Sequence, residues 1–185
     1  MLEKIYSQLT EKMEKTVTSM KEEYATFRTG RANANILNKV KVDYYGTSTP
    51  LNQMATISVP DPKQIMITPF DKTVINDISK AIQKSDIGIN PQVDGQVIRL
   101  NVPPLTGERR QELVKIVKKK SEEYKIAVRN HRRDSIEEIK KAKNDATISE
   151  DDVKKATEKI QKITDTFIAK VDEVTEIKTK DITTT

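Results

Sequence analysis

All seven prolines of this chain lie between Pro50 and Pro104, and no glutamate occurs from Arg31 to Pro104, although glutamate is common on both sides. Proline breaks helices and glutamate favours them. The pattern predicts a helical protein interrupted by an insert of different character. The expected insert is residues 31–104, and residues 1–30 and 105–185 together form one discontinuous domain. Gly30 and Gly107 sit near the two edges.

The outer segments carry apolar residues in steps of three and four, the mark of a helix with one buried stripe. In the first they are Leu2, Tyr6, Leu9, Met13, Val17, Met20, Tyr24 and Phe27. In the last they are Val153, Ala156, Ile160, Ile163, Phe167, Val171, Val174 and Ile177. Ser149 is the expected N-cap of that last helix, with Glu150, Asp151 and Asp152 at its positive end. The middle segment, about 107–145, follows Pro103-Pro104, contains no proline and is long enough for a helix of about 60 Å. Three long helices with one stripe each satisfy one another as a three-helix bundle. The chain is 33% charged and 4% aromatic with no Trp, which suits narrow stripes better than a single rich core. The Thr-rich end, residues 181–185, is expected to fray.

The insert reads as mixed α/β. Residues 39–45 and 96–102 alternate apolar and polar, and Gln64 to Thr68 is a further short strand. Ile75, Ile78 and Ile82 mark a helix between Asp71 and Ser85, with Asp71 as its cap. Gly46, Pro60 to Pro62 and Asp94-Gly95 mark turns.

Composition removes several kinds of function. There is no cysteine, so disulfides, thiolate chemistry and cysteine-based zinc sites are excluded. The opening residues alternate charge with apolar side chains, unlike a signal peptide, and no run approaches a membrane span. The expectation is a soluble, cytoplasmic protein. No phosphate loop and no Gly-x-Gly-x-x-Gly is present. The single histidine, His131, has no second histidine or cysteine to form a metal site with it. No catalytic residue, metal or cofactor is expected.

The charge is distributed unevenly. Net charge is +5, but residues 109–133 hold ten Lys or Arg against three Glu, a local +7. At about 100° per residue from Leu113, the residues Val117, Tyr124, Ala127, Val128, His131 and Ala142 fall within roughly 60° and form the expected core stripe. Lys115, Lys118, Lys125, Arg129, Arg132, Arg133 and Lys140 fall on the opposite side, at roughly 100–200°. A solvated helix face normally mixes signs at i,i+4. A face of one sign repels itself unless an anion lies against it, and arginine binds phosphate bidentately. The pattern points to a nucleic-acid backbone as partner. His131 falls with the core stripe, as a packed or boundary residue.

Six stretches, in register over nearly the whole chain, carry a family resemblance. They are Phe27-Arg-Thr-Gly-Arg-Ala32, Val42 to Thr47 with Thr49-Pro-Leu51, Ser85-Asp-Ile-Gly-Ile-Asn90, Val102 to Thr106 with Glu108-Arg-Arg110, Val128-Arg-Asn-His-Arg-Arg-Asp134, and Ile148-Ser-Glu-Asp-Asp152. Together they resemble the bacterial ribosome recycling factors. The resemblance implies an α+β, L-shaped two-domain fold: a long three-helix bundle with a small β/α/β domain inserted after its first helix. It implies binding to the post-termination 70S ribosome and, with elongation factor G and GTP, splitting into subunits that releases mRNA and deacylated tRNA. GTP belongs to the partner, and initiation factor 3 then keeps the subunits apart. The chain is expected to be a monomer and not an enzyme. The basic residues implied to contact 23S rRNA of the 50S subunit are Arg132 foremost, with Arg129, Arg133, Arg28, Lys125 and Lys118. The implied hinge is Gly30, Arg31, Pro103, Pro104, Leu105 and Thr106. The chain departs from the family pattern at His131, where Val or Ile is usual, at Ala34, and at Gly107, which is expected either to let the second helix fray at its start or to loosen the hinge.

Two other readings fit the residues alone. A generic RNA-binding helical arm would bind free tRNA without elongation factor G. An enzyme would carry a polar cluster in the insert.

Overall fold

The structure is a computed structural model that describes residues 1–184. It divides into two compact units, one of Met1–Tyr24 with Gln111–Thr183 and the other of Ala25–Arg110. Residues 25–30 and 105–110 thus group with the insert.

The first unit is a bundle of three helices: α1 (Leu2–Ala25), α3 (Gly107–Asn144) and α4 (Glu150–Thr183), of which α3 enters the unit at Gln111. The buried positions follow a 4-4-3 spacing. In α1 they include Tyr6, Leu9, Met13, Val17, Met20 and Tyr24. In α3 they include Leu113, Val117, Ser121, Val128, Ser135, Ile139 and Ala142. In α4 they include Ala156, Ile160, Thr164, Phe167, Val171, Lys178 and Ile182. A repeat of about eleven residues in three turns nearly matches the natural pitch of an α-helix, so the stripe stays on one side without a left-handed supercoil.

The same spacing corrects the expected stripe of α4. Ile177 is 55% exposed, and the buried position next to it is Lys178. The repeat takes a four-step from Val171 to Thr175 and a three-step on to Lys178, where two three-steps through Val174 were expected. Helix α4 also continues through the tail expected to fray, as far as Thr183, because Ile182 is buried; Thr185 lies outside the described residues.

Polar contacts join all three helices. The Tyr24 hydroxyl donates to the Val117 carbonyl at 2.7 Å, and the Tyr124 hydroxyl donates to Glu23. Burial and the Glu23 carboxylate beside it push the Tyr124 phenol well above its ordinary range. Thr175 donates to Ser121 at 2.8 Å, and Lys159 pairs with Glu3 at 3.2 Å while lying 4.2 Å over the Tyr6 ring.

Capping explains where the long helices begin. The Thr106 hydroxyl accepts the Arg109 backbone N–H at 3.1 Å, which satisfies a donor at the start of α3. Gly107 is therefore the first residue of a capped helix rather than a loosened start. Ser149 caps α4 as expected: its hydroxyl accepts the Asp152 N–H, and Asp152 accepts the Ser149 N–H in return. The link between α3 and α4 turns through Ala146 at φ +54°, with the Thr147 N–H closing onto the Ala142 carbonyl at 3.0 Å.

The second unit holds six strands and one helix. A hairpin pairs β1 (Lys41–Tyr44) with β2 (Thr47–Pro50). Its two-residue turn, Tyr45-Gly46, has both φ values positive, at 49° and 82°, the backbone twist that suits a tight hairpin. The strands β3 (Ala55–Asp61), β4 (Gln64–Pro69), β5 (Pro91–Asp94) and β6 (Val97–Asn101) form an antiparallel sheet in the order β3-β4-β6-β5. Helix α2 (Ile75–Lys84) packs against β1, β5 and β6. Asp71 caps the 3-10 turn before it by accepting the Thr73 N–H at 2.9 Å. The core of this unit gathers Leu37, Val42, Leu51, Ile65, Ile67, Ile78, Ile82, Ile98 and Leu100.

Candidate nucleic-acid interface

The basic residues of α3 divide into two groups. Lys118, Arg129 and Arg133 are exposed, as are Lys115 and Lys140. None of these five takes part in an ion pair among the described residues. They stand at roughly 140–200° from Leu113, the side farthest from the core. Glu122 is the acid that shares this sector and Glu137 flanks it, so cations outnumber acids along the face and part of the self-repulsion read from the sequence is present in the fold.

Arg132 and Lys125 behave differently. The Arg132 guanidinium donates to Gln161 of α4 at 3.1 Å, and its Nε is buried without a hydrogen-bond partner. Lys125 is only 17% exposed, pairs with Asp172 at 2.5 Å and reaches Glu122 at 3.4 Å. The Asp172 carboxylate holds this ammonium above the usual lysine range, although burial works against it. Both sit at the edge of the basic face, against α4. The cause is a rotation of the core stripe. Ser121 and Ser135 are buried, while Tyr124, Ala127 and His131 are only half-buried, so the core centre lies roughly 30° nearer to Arg132 than the apolar residues imply.

His131 is a boundary residue with a polar task. Its Nε2 lies 3.0 Å from the Thr16 hydroxyl of α1, and that hydroxyl donates its own proton to the Lys12 carbonyl at 3.0 Å. Nε2 donates when the Thr16 proton lies on the Lys12 carbonyl and accepts when that proton turns to the ring. The ring ties α1 to α3 where a Val or Ile would only pack.

Arg28 lies in the second unit, half-buried, with Nη1 3.4 Å from the Ile87 carbonyl. It is thereby held against the Ser85 to Asn90 stretch. One basic residue was missed as a candidate: Arg110, whose Nε is buried without a hydrogen-bond partner, as is that of Arg132. Its signal lay in the Glu108-Arg-Arg110 stretch.

The expected hinge residues all fall within the second unit. Gly30 is buried at φ +81°, and a Cβ there would stand 3.4 Å from the Leu105 backbone nitrogen. Only glycine adopts that conformation without strain. The two chain crossings, at 30 and at 105, thus touch. They are tied into the sheet by the Ala32 N–H on the Pro62 carbonyl and the Val102 N–H on the Lys63 carbonyl. Arg31, Pro103, Pro104 and Thr106 are exposed, and Leu105 is half-buried.

Among the described residues no group of histidine and carboxylate side chains is placed to hold a metal, and no helix is long and apolar enough to cross a membrane. What the geometry offers is a long helix face of unpaired cations, suited to phosphate.

The model of the family described as ribosome recycling factor matches residues 20–183. The ribosome-recycling factor of Bacillus pumilus is 54% identical over 182 residues, covering 98% of both chains. That of Clostridioides difficile is 52% identical over 178 residues, covering 96% of both. A solution structure of the ribosome recycling factor superposes with a TM-score of 0.79 at 41% identity, over 100% of this chain and 98% of the other. A structural model of the T. thermophilus ribosome recycling factor and E. coli elongation factor G, bound to the E. coli post-termination complex, matches with a TM-score of 0.68 at 42% identity, over 98% of both chains. A basic three-helix bundle with an inserted α+β unit, matched along almost its full length by these proteins, belongs to the ribosome recycling factor family.

Proposed function

We propose that the chain recycles post-termination ribosomes: with elongation factor G it splits the 70S ribosome into subunits and frees mRNA and deacylated tRNA. The observation that carries this reading is the predominantly cationic face of α3 on a family scaffold, five of whose cations make no ion pair among the described residues. The face binds phosphates of 23S rRNA in the 50S subunit through Arg129, Arg133 and Lys118. Arg132 and Lys125 flank it from the α4 side. Arg132 reaches RNA through guanidinium N–H groups other than its buried Nε, alongside its bond to Gln161. Arg28 adds a contact from the second unit.

The GTP is bound and hydrolysed by the partner, since the chain carries no phosphate loop and performs no catalysis of its own. Initiation factor 3 acts afterwards on the separated subunits. The chain works as a cytoplasmic monomer. Residues 1–30 and 105–185 act as one domain against 31–104, and motion between them is absorbed around Gly30, Arg31 and Pro103 to Thr106. Gly30 and Leu105 keep the two crossings together, so the chain bends there without unfolding either part.

The test is light scattering of post-termination ribosomes mixed with the protein, elongation factor G and GTP. The expected result is a fall in scattering that needs all three. No subunit splitting overturns the reading, and tight binding to free tRNA with no dependence on elongation factor G favours a generic RNA-binding arm instead.

A further inference from the structure

The second unit carries a groove that the α3 face does not explain. It is an open concavity of about 710 Å³ between β1 and α2. The residue pattern builds it. Lys39, Lys41 and Asp43 alternate with Val40 and Val42, which turn inward, so the charged side chains share the outer face of the strand. Lys80 and Lys84 stand one turn apart on α2 and face the same groove, with Ala81 between them at its floor. The lining holds four lysines against two aspartates, Asp43 and Asp77, a balance of +2. None of the four lysines takes part in an ion pair among the described residues. Like charges at i,i+4 weaken a helix slightly, so an anion between Lys80, Lys84 and the strand would be favoured there.

Two further observations extend the groove and indicate its occupant. A second concavity, of about 410 Å³, shares Lys39, Val40 and Ser85 with the first and reaches Arg28. The cations therefore form a track from Arg28 past Lys39 to Lys41, Lys84 and Lys80. Tyr45 belongs to the groove lining at the tip of the β1–β2 hairpin, 79% exposed, with its ring set edge-on against Tyr44 at 4.6 Å. A cation track beside an exposed aromatic face is the arrangement that follows a single-stranded nucleic acid: the cations hold the backbone and the ring stacks on a base. An acidic peptide would engage the lysines but leave the Tyr45 ring without a partner, and the floor of Val40 and Ala81 has no socket for its side chains.

We propose that this track is a second RNA-contact surface, which holds the phosphate backbone of a single-stranded RNA segment and stacks one base on Tyr45. It does not depend on the α3 face, and the experiment separates the two. The full chain carrying Arg129→Glu and Arg133→Glu, which silence α3, is isotope-labelled and titrated with a short oligouridylate while amide signals are followed. Signals of Lys41, Lys80 and Lys84 shift. Adding Lys80→Gln and Lys84→Gln, both exposed and outside the core, weakens binding about 25-fold at about 0.1 M salt and flattens the salt slope by about 1.4, the share of two single-strand phosphate contacts. Tyr45→Ala weakens binding and leaves the slope unchanged. Unmoved signals at the three lysines overturn the proposal. So does a polyglutamate peptide that binds the same residues as tightly as the RNA, which would make the groove a protein site.

Discussion

Replacing Arg129 and Arg133 together by alanine is the sharpest perturbation of the α3 face. Both are exposed and neither makes an ion pair among the described residues, so the bundle should lose no more than about 0.5 kcal/mol of stability. Affinity should behave otherwise. Each duplex phosphate contact contributes about 0.9 to the dependence of log affinity on log salt, so two contacts carry about 1.8. At about 0.1 M salt that is about 60-fold, or about 2.5 kcal/mol. The assay is co-sedimentation with 50S subunits across a salt series, alongside thermal melting of the free protein. The slope should fall by about 1.8 while the melting temperature holds. Arg132→Ala should differ, because this side chain is shared with Gln161 and half-buried: it should lower the melting temperature slightly and the slope by about 1 at most. An unchanged slope in the double variant would refute phosphate contact by this face, whatever the affinity did.

Further tests concern the scaffold. Ala146 holds φ +54°, so Ala146→Gly should stabilise the chain by about 0.5–1 kcal/mol in chemical denaturation, and destabilisation would show that the turn is not strained. Burial pushes the Lys178 ammonium below its ordinary range, with Asp181 opposing the shift. The folded protein therefore releases that proton before the unfolded chain does, and stability should rise with pH just below the ordinary lysine value of 10.5. Lys178→Met should remove that rise and lift the melting temperature by a few degrees, about 2–4 °C per kcal/mol. Gly30→Ala forces a strained backbone against Leu105 and should reduce ribosome splitting more than ribosome binding, measured by light scattering and co-sedimentation; equal loss of both would argue against bending there. Proline at position 30 would be a poor substitute, since its φ near −65° is far from +81° and would distort the crossing rather than lock it.

The long helices were legible because their apolar steps of three and four repeat over many turns and chance seldom sustains them. The insert was legible only in part. Strands β1, β4 and β6 were readable from alternation, whereas β2 and β5 are short and polar, and β3 contains Pro60. Proline is tolerated there because β3 is an edge strand, which no sequence rule reveals before the sheet order is known. On α3 the basic face was legible as a whole, but not its division. Buried Ser121 and Ser135 carry no hydrophobic signal, yet they turn the core toward Arg132 and Lys125 and commit both to α4. The groove on the second unit could not be read at all, because Lys39 and Lys84 meet only when α2 packs on β1.

The eleven-residue repeat has a consequence for recognition. Lys118, Arg129 and Lys140 are each eleven positions apart, and all three are exposed without ion pairs among the described residues. At about 1.5 Å per residue they stand about 16 Å from one another, on nearly the same bearing along α3. The helix is in effect a graduated straightedge, with one cation at each mark. RNA bound there, as proposed, would be met by distance along a line and not by wrapping around it. Inserting a single residue near position 123 would swing the later marks by about 100° and leave the first in place, so a helix intact in length would no longer register with its partner.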